Sequence, residues 1–130
     1  MKSKSILAAN FLASISIIFI FILAGLSAAG EIDFGPSPTA PNTSAWNFWG
    51  ISALIALFFN AIVGWFTYIL KKSGGALICA IFSLYHIIVS LVLSLILLGT
   101  PIIHFELLIF VALHTIGFFK QRAFNEDESF

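Results

Sequence analysis

Four long runs of apolar residues, interrupted almost only by small or uncharged polar side chains, alternate with short polar segments along the chain. They cover about residues 6–28, 46–70, 76–98 and 101–119, the last being the shortest and least apolar. About 20 apolar residues, rising roughly 1.5 Å each in a helix, cross a hydrocarbon core of about 30 Å. Lipid offers the backbone no hydrogen-bond partner, so each run is predicted to be a helix that satisfies its own amides.

Within two runs the polar and small residues follow the helical period. On the second, Ala53, Ala56, Gly64 and Thr67 fall within about 40° of Asn60; on the third, Ala76, Cys79, Ser83, His86, Ser90 and Ser94 share one stripe about 80° wide. Such small-residue seams let helices approach closely in a membrane, where packing and interhelical hydrogen bonds drive association. The two connections that follow are short. Lys71-Lys72-Ser73-Gly74-Gly75 contains glycines able to end a helix in the left-handed conformation, and Gly99-Thr100-Pro101 reads as terminator, N-cap and first helical residue. The last three runs should then form consecutive antiparallel hairpins. Mirroring residues across the first turn sets Asn60 opposite His86, Ala56 opposite Ser90 and Ala53 opposite Ser94. Mirroring across the second sets His114 opposite His86, and Glu106 opposite Ser94. Asn60, His86 and His114 are thus expected to make a polar layer near mid-membrane, with Ser90, Ser94 and Glu106 toward the outer side.

Composition and charge turn this pattern into a class. With 60% hydrophobic residues, 9% charged ones and a mean hydropathy of +1.08, the chain is far from the quarter of charged residues usual in soluble domains. All six basic residues (Lys2, Lys4, Lys71, Lys72, Lys120, Arg122) fall on one side of the predicted spans. Cytoplasmic loops are enriched in such residues. The expectation is one all-α integral membrane domain over residues 1–130: an up-down-up-down bundle of four transmembrane helices, N and C termini cytoplasmic, in a cell membrane of the bacterial plasma-membrane type. Ser27-Ala28-Ala29 before Gly30 also fits a signal-peptide cleavage site, but the preceding apolar run exceeds the usual 7–15 residues of a signal core. A retained first span is therefore expected. The loop 29–45, rich in Gly and Pro, is placed outside; Asn42-Thr43-Ser44 within it reads as a helix start capped by Thr43 or Ser44 in preference to a glycosylation site. Trp46, Trp49, Trp65 and Tyr68 read as interfacial anchors, and the acidic tail 125–129 as a solvated end.

Candidate chemistry is sparse. In the fourth run a helical reading sets His104 at the outer interface, about 160° from Glu106, with His114 about 80° from either, so the three do not make one site. Glu106 is either an interfacial carboxyl bonded to Ser94 or a protonatable functional group. No Asp lies in any span, so no Ser-His-Asp set is expected there; the histidines lack a metal-ligand spacing, and there is no phosphate loop and no nucleic-acid-binding domain. Three readings remain. The first is a non-catalytic subunit or accessory protein that binds lipid and other membrane helices, or copies of itself, and carries no cofactor. The second is a small proton-coupled or ion transporter, working as an oligomer through Glu106, His86 and His114; imidazole ordinarily titrates near neutrality. The third is an electron-transfer subunit with His86 and His114 as axial haem ligands.

Overall fold

Side-chain size sorts the helices of this chain: small residues face inward and large apolar ones face out. The computed structural model describes residues 1–28, 30 and 41–128. It contains four helices: α1 (Lys4–Ala28), α2 (Pro41–Leu70), α3 (Ser73–Leu98) and α4 (Leu107–Glu128). Each is long and apolar enough to cross a membrane. α1 packs on α2, α2 on α3, α3 on α4, and α4 on α1, closing a ring.

The centre holds Ala9, Ala13, Ala56, Leu57, Ala61, Leu107 and Phe110. Ala53, Ala56, Asn60, Gly64 and Thr67 of the α2 seam are all buried, as are Ala76, Cys79, Ser83, Ser90 and Ser94 of the α3 seam. Outward stand residues such as Phe19, Ile55, Phe66, Ile81, Ile96 and Phe119, each more than half exposed. A soluble domain of this size could not expose so much contiguous apolar surface; a bilayer-embedded one must.

The α2–α3 hairpin is tighter than its sequence suggests. Lys71 itself takes the left-handed conformation at φ +54°. The Lys72 amide donates to Thr67 O at 3.0 Å and the Lys71 amide to Tyr68 O at 3.4 Å, the paired bonds of a Schellman cap. Gly74 and Gly75 therefore lie in the first turn of α3 instead of in the connection. At Gly75 a Cβ would collide with the Thr67 side chain, so this glycine serves close approach of the two helices. With the turn centred between Lys71 and Lys72, the pairing shifts by about one helical turn. Asn60 meets Ser83, not His86, and Ser90 meets Ser52, not Ala56.

The second hairpin departs further. Gly99 caps α3 at φ +68°, its amide bonded to Leu95 O, as its sequence position implies. α4, however, begins at Leu107 and not at Pro101, and it continues to Glu128. Pro101 has no amide hydrogen, and the Ile102 amide is taken at 2.8 Å by Ser94 Oγ, which itself donates to Leu91 O. The backbone winds into α4 through the turn bonds Phe105 N to Ile103 O, Leu107 N to His104 O, Leu108 N to Phe105 O and Ile109 N to Glu106 O. Residues 101–106 thus run without a helix, covering more length per residue than helical chain would. They carry His104 inward to the level of Ser52, and α4 starts correspondingly further along the bundle. Within this segment His104 is buried, while Pro101, Ile103 and Phe105 stand exposed.

At the opposite end, which carries the basic residues and both termini, polar bonds tie the helices together. The Ser3 amide donates to Gln121 Oε1 at 3.0 Å, Gln121 Nε2 donates to Met1 O and Asn125 Oδ1, and Asn125 Nδ2 donates to Lys71 O. The Met1 amino group pairs with Glu128, and Lys2 Nζ lies 4.9 Å from the Tyr68 ring centre. Residues 125–128 of the segment read as a solvated acidic tail continue α4, and Asn125 and Glu128 fasten it to the bundle. α2 is already helical at Pro41, ahead of the expected caps Thr43 and Ser44, whose side chains, like that of Asn42, lie outside the described residues. So does most of the loop 29–45, residues 31–40 included.

Candidate functional site

At the distal end, opposite the basic one, the break before α4 assembles a polar chain from three parts of the fold. Glu106 Oε1 accepts from His104 Nδ1 at 2.7 Å, and His104 Nε2 lies 2.9 Å from Ser52 Oγ. Ser52 Oγ lies in turn 2.7 Å from Ser90 Oγ and 3.0 Å from His86 Nε2, which also meets Ser52 O at 2.8 Å. With Glu106 ionised, one set of hydrogens makes every bond of the chain. Ser90 donates to Ser52, Ser52 to His104 Nε2, and His104 Nδ1–H to Glu106, while His86 Nε2–H is shared between the Ser52 carbonyl and Ser52 Oγ. His104 is fully buried, whereas the Glu106 side chain is 39% exposed. The carboxylate is therefore the mouth of the chain and the His104 imidazole its interior, with His86 half-buried beyond it.

Aromatic rings wall the chain in. Trp49 stacks on His104 with centroids 6.3 Å apart, His104 and His86 are 5.8 Å apart, and Phe82 stacks on His86 at 5.7 Å. Trp49, read as an interfacial anchor, caps the chain, and His104, read as an interfacial residue, is buried in protein beneath it. His104 and Glu106 would diverge on a helix; the non-helical lead-in brings them together. Ser94, mirrored to Glu106 in sequence, instead holds the Ile102 amide.

The order Glu106, His104, Ser52 is that of an acid, a base and a nucleophile, although no Ser-His-Asp set was expected within the spans. A glutamate stands in for the aspartate, and the break in the fourth span supplies it. Nucleophilic attack requires an accessible hydroxyl, and Ser52 is 7% exposed. Its Oγ is already surrounded by His104, His86 and Ser90. A hydroxyl has one hydrogen and two lone pairs, so this one is saturated. The arrangement suits passing a proton from one oxygen or nitrogen to the next, not attack on a carbonyl carbon.

The expected polar layer divides among several levels. Asn60 Nδ2 donates to Ser83 Oγ at 2.9 Å and to Ala56 O, and Ser83 Oγ donates back to Asn60 Oδ1. His114 stands deeper, its Cε1 3.4 Å from where a Cβ of Gly64 would be. His86 is anchored at Ser52 and His114 lies against Gly64, positions separated by roughly 18 Å along α2. The two imidazoles thus do not face each other as axial haem ligands must. Among the described residues, no group of three or more His, Cys, Asp or Glu side chains is placed to hold a metal ion.

Taken together, buried or half-buried polar side chains recur along the bundle: Glu106–His104–Ser52–His86, then Asn60–Ser83, then Asn10–His114, then Thr67, then Ser3–Gln121. Four of these escape a reading based on charges and histidines: Ser3, Asn10, Ser52 and Gln121. Periodicity nevertheless marks two of them. Ile6, Ala9, Asn10 and Ala13 follow three-and-four spacing, as do Leu107, Phe110, His114, Gly117 and Gln121, and all nine are buried. Comparison with protein-family models, with curated proteins and with solved structures finds no match to this chain.

Proposed function

We propose that this protein is a small multi-pass protein of a cell membrane of the bacterial plasma-membrane type, arranged up-down-up-down with both termini cytoplasmic. We propose further that it handles protons through Glu106, His104, Ser52 and His86, working as an oligomer. The observation that supports this reading is the continuous hydrogen-bonded chain from a partly exposed carboxylate to two imidazoles inside the bundle. Ionisable residues within a span are costly to keep and mark ion or proton pathways. Proton entry into liposomes carrying the protein, driven by an imposed potential, tests the proposal. Glu106→Gln and His104→Gln are each expected to lower the rate at least tenfold. Flux that survives both removes the proposed route.

A second reading, the non-catalytic subunit or accessory protein, is favoured by one surface feature. Between α1 and α2 lies an apolar groove of about 430 Å³, bordered by Ile17, Ile18, Phe58, Ala61, Ile62 and Phe66, shaped to take a lipid chain or a further helix. Copurification in mild detergent tests it: a stoichiometric membrane partner supports this reading, and its loss in Ala61→Phe locates the contact.

A further inference from the structure

Below Asn60 and Ser83, three buried polar atoms have no partner among the described residues: Asn10 Oδ1, His114 Nδ1 and His114 Nε2. Asn10 and His114 are both 0% exposed, in a chain whose surroundings offer hydrogen bonds to neither. The Asn10 amide and the His114 ring meet at Gly64. Asn10 Nδ2 donates to Gly64 O at 2.9 Å, and Asn10 Oδ1 occupies the place where a Gly64 Cβ would project. His114 turns Cε1, the carbon between its two ring nitrogens, to the same point at 3.4 Å. The polar edge of the imidazole and the amide oxygen thus look onto one spot from α4 and α1.

The inventory of free groups identifies what fits there. A neutral imidazole presents one N–H donor and one nitrogen acceptor, and an amide oxygen presents acceptor lone pairs. An anion would find a single donor. A metal ion would find no carboxylate or thiolate among these groups. The two ring nitrogens point away from each other, so a water, which both donates and accepts, can bond Asn10 Oδ1 and one of them; buried waters occur where two to four polar groups would otherwise lack partners. We propose that Asn10 Oδ1 and His114 hold a water molecule at Gly64, inside the apolar half of the bundle nearer its basic end. The site stands on its own orphaned atoms, and it also supplies a protonatable step between the Asn60–Ser83 pair and the basic end.

Water-edited solid-state NMR of the full chain in lipid vesicles, with ring-¹⁵N histidine, reads this directly; His114→Phe assigns the signal. The ring nitrogens of His114 are expected to gain magnetisation from water several-fold faster than the amide of Leu107, which is equally buried but apolar. Asn10→Leu should slow that transfer at least twofold. Transfer to His114 no faster than to the Leu107 amide overturns the site, whether or not Asn10→Leu folds. Because proton entry through Glu106 is measured separately, a dry His114 with intact Glu106-dependent flux overturns the water site alone.

Discussion

Gly64 lacks a side chain at the point where the Asn10 amide crosses from α1 to α2, and that single absence lets a buried polar group reach a backbone carbonyl. Gly64→Ala would drive a methyl group into Asn10 Oδ1 and push the amide off Gly64 O. Overpacking costs typically about 1–3 kcal/mol, and a similar figure applies to a buried amide left without its partner. A clear drop in the thermal unfolding midpoint in detergent is expected, and an unchanged midpoint would show that the approach is looser than described. Ser52 is equally specific, because one hydroxyl joins His104, His86 and Ser90. Neither Asn10 nor Ser52 is conspicuous in the sequence, where an uncharged polar residue among apolar ones resembles a tolerated substitution. The seam residues Asn60 and Gly64 are legible because a helical stripe repeats, whereas Asn10 gains its meaning only once α1 is laid against α2.

At the scale of elements, four helices and the inward faces of α2 and α3 follow from apolar runs and their periodicity. The registers between them do not, since each depends on which residue takes the left-handed turn. Glycines at 74 and 75 suggest a turn there, but Lys71 takes it, and the hairpin slips by about one turn. Gly99 does occupy the conformation its sequence position implies. Gly99→Ala, at φ +68°, is expected to cost about 1 kcal/mol. Gly74→Ala, which lies in α3 with nothing within 4 Å of the added methyl, should leave stability unchanged or raise it by up to about 1 kcal/mol. Paired unfolding midpoints check both, and equal effects would contradict the assigned turns. The late start of α4 is invisible to hydropathy because residues 101–103 are apolar whether helical or not. What moves His104 from a surface to an interior position is the Ser94 bond to the Ile102 amide, a contact between distant residues.

For the whole molecule, the lysines and arginine gather at one end and the Glu106 mouth at the other, so the proposed orientation has a direct check. Thr100→Cys should react with a membrane-impermeant maleimide on intact cells, and Lys71→Cys only after permeabilisation. The native Cys79 is fully buried and should stay silent. The reverse pattern would invert the protein. The central claim is that the polar groups act as one chain, and Ser52 is the joint at which it is broken with least disturbance. Ser52→Ala removes one hydroxyl while both imidazoles and the carboxylate remain. Proton entry into liposomes reconstituted with this variant, at matched protein content and confirmed folding, is the decisive measurement. A rate at least tenfold below that of the wild-type protein is expected, and an unchanged rate would rule out a proton chain through Ser52.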